Sequence, residues 1–412
     1  MLRRVDPRSP AHPAYVVWEL TLRCDQPCTH CGSRAGDPRE SELTTEEAMG
    51  VVDQLAAAGA LEVVLIGGEA YLHPGFLQII AALKARGVRA TMTTGGRGVT
   101  AQLAAQMAAA GLFSASVSLD GLEPTHDLMR AARGSFQAAT AALQHLKAAG
   151  LRTSANTNLN RLNEADLEPL YLHLKAQGVT AWQLQITAPL GRAADRPAML
   201  LQPWDLLHVV PRIVALKKRA FEEARMVLMP GNNLGYFGPE EGTLRSPVPG
   251  GHDHWQGCQA GKLVAGIESN GAFKGCPSLQ SAYIGGNLRQ TPLQELWDGA
   301  PQLAFTRTRT VEDLWGFCRT CPFAATCMGG CSFTAHALFG RPGNNPYCHF
   351  RARSLAATGV RERLVLKQAA PGKPFDNGLF EIVLEPIDAP DPKPPTPQQL
   401  VRKVRLEAVD SA

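Results

Sequence analysis

The chain has 412 residues, 45% of them hydrophobic, which suits two or three domains with a substantial core. A net charge of +4, spread basic residues and 6% aromatic content exclude a charged nucleic-acid surface or a base-stacking platform. No apolar run approaches the roughly eighteen residues of a membrane span, and the basic, proline-rich start MLRRVDPRSPAHP lacks the apolar centre of an export signal.

After a short tail (1–15), strands alternate with helical patterns. Residues 16–21, 62–66, 89–94, 114–119, 152–158 and 181–187 read as six strands. Between them, 45–58, 74–86, 100–110, 136–149 and 165–177 have helical spacing, followed by Gly59, Gly87, Gly111, Gly150 and Gly178 as helix stops. Such repetition at roughly 30-residue intervals predicts right-handed crossovers and a parallel sheet. The fold class is α/β: six units instead of eight predict a partial (β/α)6 barrel over 16–229, with a long exit helix over 204–225. Residues 230–257 read as a Gly/Pro-rich linker or a loop near the active site, 258–349 as a cysteine-rich domain that depends on metal for cross-links, and 350–412 as an extension. The proline-rich stretch 386–397 predicts an extended or flexible segment.

Ten cysteines fall into two sets. The first spells Cys24-x3-Cys28-x2-Cys31, directly after the first strand. Three thiolates on one short loop hold three irons of a four-iron cube and leave the fourth open to a small-molecule chelator. Zinc sites ordinarily want four ligands. Next, at the end of the second strand, comes Gly67-Gly68-Glu69: the glycines admit close approach of a ligand, and Glu69 is an acceptor for an ammonium group. Ser118, Asp120-Gly121, His126-Asp127 and Arg130 follow. With these motifs the sequence resembles the radical S-adenosylmethionine superfamily. The resemblance implies that S-adenosylmethionine chelates the open iron. Reduction then yields a 5′-deoxyadenosyl radical that abstracts hydrogen from unactivated carbon.

The second set is Cys258, Cys276, Cys318-x2-Cys321-x5-Cys327-x3-Cys331 and Cys348, with Gly271 five residues before Cys276. This is similar to the SPASM domain, the auxiliary-cluster module of radical enzymes that modify peptides and proteins. The resemblance implies that Cys318, Cys321, Cys327 and Cys348 complete one cluster, and that Cys258, Cys276 and Cys331 hold another. Three [4Fe-4S] clusters would then use every cysteine. The third cluster lacks a fourth cysteine; its last iron stays open, takes a non-cysteine cap such as His252 or His254, or binds substrate. Two other readings of the cysteines remain: a disulfide framework, which needs an oxidising compartment, and zinc on Cys318, Cys321, Cys327 and Cys331. Nothing points to export, and zinc leaves the first loop and the flanking cysteines unexplained, so a reducing, cytoplasmic setting is expected.

Other positions match the family one by one. Ser118 and Arg130 correspond to contacts of the cofactor's carboxylate and ribose; Ser118 could instead cap a turn, and Arg130 could be a surface charge. Asn156, Asn158 and Gln185, at strand ends, suit the ribose or adenine, or satisfy one another. His30 takes a slot the family often gives to an aromatic packed on adenine. Ala70 follows the glutamate where proline is commoner. No catalytic acid or base is identifiable.

Maturation of a ribosomally made precursor peptide, by cross-linking, epimerisation or backbone excision, is the function this pattern favours. The alternative is oxidation of a protein side chain or a small molecule; a third is an iron–sulfur electron carrier, which needs neither an open iron nor the GGE motif. About fifteen residues precede the first strand, too few for a peptide-recognition domain, so a separate leader-recognition protein is an expected partner. An electron donor such as flavodoxin or ferredoxin is another.

Overall fold

The computed structural model describes residues 11–391. The predicted alternation is present as β1 (Tyr15–Glu19), β2 (Glu62–Ile66), β3 (Arg89–Thr94), β4 (Ser114–Ser118), β5 (Arg152–Leu159) and β6 (Ala181–Ile186), parallel neighbours in that order. Between them run α1 (Thr45–Ala57), α2 (Phe76–Ala85), α3 (Ala101–Ala110), α4 (Glu123–Arg130), α5 (Ser135–Ala148) and α6 (Leu167–Gln177). This is the partial α/β barrel with its parallel sheet.

Local chemistry explains the boundaries. Thr44 and Glu47 form a reciprocal capping box at the start of α1, whose buried Ala48, Val51, Val52 and Leu55 follow one helical face. Gly111 ends α3 at φ 100°, a left-handed conformation that a side chain would disfavour. The α4–α5 corner, not predicted as a separate helix pair, is held by Asp127, whose carboxylate accepts from Gly134 N (2.6 Å) and Phe136 N (2.8 Å).

Strand periodicity sorts the faces. In β4, Ala115 and Val117 are buried in the core, whereas Ser116 and Ser118 line interior cavities. In β5, Thr153, Ala155, Thr157 and Leu159 are buried, and Ser154, Asn156 and Asn158 alternate with them to face inward. The barrel lumen is therefore polar.

Six strands do not complete the sheet. After α7 (Leu206–Ala224), β7 (Val227–Pro230) pairs parallel with β6. On the other edge, β8 (Val264–Ile267) pairs parallel with β1, and β9 (Ala272–Lys274) and β10 (Ile284–Asn287) continue antiparallel. The cysteine-rich segment is thus hydrogen-bonded directly to the first barrel strand. Residues 230–257, expected as a linker, bury Leu234, Phe237, Leu244 and Trp255. The Glu241 carboxylate accepts from the backbone of Phe237 and Trp255 there, at 2.8 and 2.9 Å. An antiparallel hairpin, β11 (Val360–Gln368) and β12 (Leu379–Pro386), closes the described chain. The second half of the expected flexible stretch 386–397 lies outside the described residues, as does most of the N-terminal tail. Among the described residues no helix is long and apolar enough to cross a membrane.

Candidate functional site

The loop after β1 is closed at its base by Cys24 N to Gly36 O (2.9 Å) and Gly36 N to Leu22 O (3.0 Å). These bonds bring Cys24, Cys28 and Cys31 to the carboxyl end of the barrel strands, beside β2 and the GGE turn. Ala35 N lies 3.4 Å from Cys31 Sγ, and Arg130 Nη1 lies 3.7 Å from Cys28 Sγ. Burial pushes the Cys28 thiol up to about 11, against the opposing pull of Arg130. Burial, with Cys28 as neighbour, raises Cys24 as well. None of the ten cysteines is disulfide-bonded. Among the described residues, no three His, Cys, Asp or Glu side chains converge tightly enough to hold a single metal ion.

The GGE turn is pressed against that loop. Gly68 N donates to Thr21 O (2.7 Å) and Glu69 N to Arg23 O (2.8 Å). A Cβ on Gly67 would stand 2.4 Å from Thr21 O, and one on Gly68 2.2 Å from Arg23 O. Both glycines are thus required by the approach of two backbones, in addition to any ligand. The turn delivers Glu69, which accepts from Thr94 Oγ1 and Gly95 N, both at 2.6 Å. Burial pushes its carboxyl up to about 8, and the nearby Asp25 adds to the rise. A buried carboxylate short of positive charge fits an ammonium group.

Beneath these loops the lumen holds a cavity of about 400 Å3. Gly67, Ser118, Asn158, Gln185 and His30, all predicted cofactor contacts, line it. Gly68, Glu69 and Arg130 are not among its lining residues. His30 Nδ1 is buried without a partner, and Nε2 is 3.4 Å from Asp120 Oδ2. Burial lowers the His30 imidazole to about 4, so it is neutral at ordinary pH. A flat, neutral ring in the wall of a polar cavity fits a nucleoside-like ligand. Arg130 is no surface charge: its side chain is 9% exposed and contacts Asp120 and Cys28.

The auxiliary cysteines sort into two groups in space. Cys318, Cys321, Cys327 and Cys348 line one small cavity with Tyr236 and Phe323, whose rings stack at 4.2 Å. Burial pushes Cys348 up to about 12, helped by Cys318. Cys276 is pushed up to about 12 by burial and then by Cys258 and Cys331. Burial and Cys258 raise Cys331 to about 11. Cys331 therefore sits with Cys258 and Cys276, away from the sequence neighbours that a four-cysteine zinc reading gives it. Four residues after Cys276, the buried Gln280 amide has no partner on either its oxygen or its nitrogen.

Several cavity residues were not singled out by sequence. Glu19, Glu268 and Lys274 line it together with Phe375. Arg39 joins Glu19 and Glu268, each at 3.1 Å, and Lys274 Nζ meets Glu268 Oε1 at 2.7 Å. Burial raises the Glu19 carboxyl, and the Arg39 guanidinium opposes the rise. Only inward alternation in β1 hinted at Glu19; the others arrive from residues 268–375, outside any motif.

Comparison with known proteins agrees with this architecture. Residues 18–174 match the radical SAM superfamily, and residues 258–322 match the SPASM iron–sulfur cluster-binding domain. The chain is 26% identical over 346 residues to the AdoMet-dependent heme synthase of Nitratidesulfovibrio vulgaris, covering 82% of this chain and 93% of that protein. It is 29% identical over 347 residues to the mycofactocin maturase MftC of Mycobacterium ulcerans, covering 82% and 88%. Among solved structures, Streptococcus suis SuiB bound to S-adenosylmethionine has the same fold, with TM-score 0.62 at 15% identity over 82% of this chain and 76% of that one. The chain is a radical S-adenosylmethionine enzyme with a C-terminal SPASM domain.

Proposed function

We propose that this enzyme matures a ribosomally made peptide, which crosses the mouth of the lumen in extended form. One observation carries the reading: a segment of the chain itself already lies there as a bound peptide would. Phe375 N donates to Gly32 O (3.2 Å), Gly191 N donates to Asp376 O (2.7 Å), and Asn377 bridges antiparallel to Leu190. Exposed backbone of this kind recognises peptides by strand addition.

In this reading Cys24, Cys28 and Cys31 hold the first four-iron cluster. Cys318, Cys321, Cys327 and Cys348 hold a second, and Cys258, Cys276 and Cys331 a third. Bound S-adenosylmethionine supplies a hydrogen-abstracting radical. Glu69 takes its ammonium group, while His30, Ser118, Asn158 and Gln185 position its nucleoside in the lumen. Ser278 and Pro277, just after Cys276, line the same cavity as Gly32 and Ser33 of the first loop. Hydrogen abstraction and an auxiliary electron acceptor would therefore serve one bound substrate. A flavodoxin or ferredoxin would supply electrons, and a separate protein would present the precursor's leader. The setting is a reducing cytoplasm.

A second reading, oxidation of a tetrapyrrole, is favoured by the likeness to heme synthases. Anaerobic incubation of the reconstituted enzyme with S-adenosylmethionine and either a short precursor peptide or a carboxylated tetrapyrrole separates the two. A mass change in the peptide is the expected result; a change in the tetrapyrrole alone would replace the peptide reading.

A further inference from the structure

The segment across the mouth is the turn between β11 and β12, residues 369–378. It inserts one side chain, Phe375, into the wall of the lumen cavity. The ring lies over Lys274, with Nζ 4.3 Å from the centroid, and Arg39 Cζ is 5.8 Å away. Lys274 is 1% exposed and spends two donors on Glu268 Oε1 (2.7 Å) and Leu279 O (2.6 Å). The aromatic face covers the rest of this buried cation. Without it, Lys274 would lose its cation–π partner.

The attachment of the turn is of a different kind. Its latch is Asp376, which accepts from Arg34 Nε (3.0 Å) and from Lys373 N (2.8 Å). Arg34 also holds Asp195 at 2.7 Å, and the Arg34–Asp376 pair itself is largely shielded, with side chains 14% and 7% exposed. Arg34 and Phe375 both sit at positive φ, 51° and 55°, strained for non-glycine residues. Gly372 and Gly378 flank the inserted segment, and opening would relieve the strain at Phe375. A cavity of about 400 Å3 is near the small end of ligand pockets, enough for one small molecule. A peptide entering beside the cofactor needs the turn to lift.

Resting on the peptide reading and extending it, we propose that the Phe375 position is an aromatic-anchor subsite. The turn is a lid that mimics substrate, and a flat aromatic group of the incoming substrate replaces the Phe375 ring on Lys274. Arg34, three residues after Cys31, positions the lid from the cluster loop.

The test uses the reconstituted holoenzyme as wild type and as the double variant Phe375→Gly/Asp376→Ala, with iron content and visible absorbance confirming assembly. Hydrogen exchange should be at least tenfold faster across 372–378 in the variant, with the barrel strands unchanged. Exchange there as slow as in the barrel strands, in both proteins, would overturn the lid. Binding is read by fluorescence anisotropy with the labelled peptide Lys-Pro-Phe-Asp-Asn-Gly, with the same peptide bearing alanine in place of phenylalanine, and by competition with coproporphyrin. The phenylalanine peptide should bind the variant at least tenfold tighter than the alanine peptide does, and tighter than it binds wild type. Equal binding of the two peptides would keep the peptide reading and overturn the aromatic anchor. Binding of the porphyrin alone, dependent on the opened lid, would keep the aromatic subsite and overturn the peptide reading. No binding of any probe to an iron-loaded, opened variant would overturn the subsite. Should the double variant fail to load iron, Phe375→Gly alone, which keeps the Arg34 latch, carries the same comparison.

Discussion

Arg130 Nη2 stands 2.6 Å from Asp120 Oδ2 behind the Cys28 thiol, an ionic contact without hydrogen-bond alignment. Asp120 is fully buried, and its other oxygen accepts from Asn158 N at 2.9 Å. One carboxylate thus ties the end of β4 to the end of β5 and to the cluster loop, through Arg130 and His30. The ordering of the first loop depends on a charge pair buried more than ninety residues away in sequence.

Removing one member of that pair leaves the other buried and uncompensated. Asp120→Ala should cost about 3–5 kcal/mol of stability, whereas Asp120→Leu with Arg130→Met should cost much less than the sum of its single variants. Anaerobic urea unfolding provides the measurement. Additive losses would show that the two side chains do not act as a pair.

Gly68→Ala should weaken S-adenosylmethionine binding at least tenfold, because the new Cβ would stand 2.2 Å from Arg23 O and push the Glu69 turn away. Gly36→Ala is the control, since nothing lies within 4 Å of its Cβ position. Equilibrium dialysis with labelled cofactor distinguishes them; equal affinity in both variants would refute the backbone-approach argument.

His126 sets an acid limit on stability. Its Nδ1 accepts from Asp120 N (3.1 Å), so its proton is on Nε2, facing Ser135 Oγ at 3.1 Å. Burial lowers its pKa to about 3; Arg130 and His30 lower it further and Asp120 opposes them. Between that value and the ordinary value of about 6.5 the unfolded chain binds the extra proton. Stability from this group is therefore full above about 6.5 and is lost as pH falls toward 3, at up to about 1.4 kcal/mol per unit. Urea midpoints at pH 7.5 and 5.5 should diverge more in wild type than in His126→Gln. Identical slopes would assign the acid sensitivity elsewhere.

Anaerobic reconstitution should give about twelve irons per chain, and replacing Cys24, Cys28 and Cys31 together with alanine should leave about eight. The triple variant should release no 5′-deoxyadenosine. Zinc in place of iron, or persistent cofactor cleavage by the variant, would contradict the division of the cysteines.

Legibility followed the range of the interactions. Each of the six predicted barrel strands and the loop of Cys24, Cys28 and Cys31 are written within a few residues, because hydrophobic period and loop spacing act locally. β7 to β10 escaped notice: each spans only three or four residues, too short for a period to show, and each exists because a neighbouring edge accepts its backbone. By spacing alone the run from Cys318 to Cys331 looks like one four-ligand site, although the family resemblance already assigned Cys331 to Cys258 and Cys276. Folding sends Cys331 to Cys258 and Cys276, and Cys348 takes its place beside Cys318, Cys321 and Cys327.

By itself, then, the sequence determined the α/β alternation, the three-thiol loop and the GGE turn beside it, since short chain segments impose their own geometry. Tertiary structure decided the burial of Arg130 on Asp120 and the closing of the lumen by Phe375 over Lys274. Those depend on which distant surfaces exclude water together, and charge, burial and aromatic contact acquire their strength only once that water has gone.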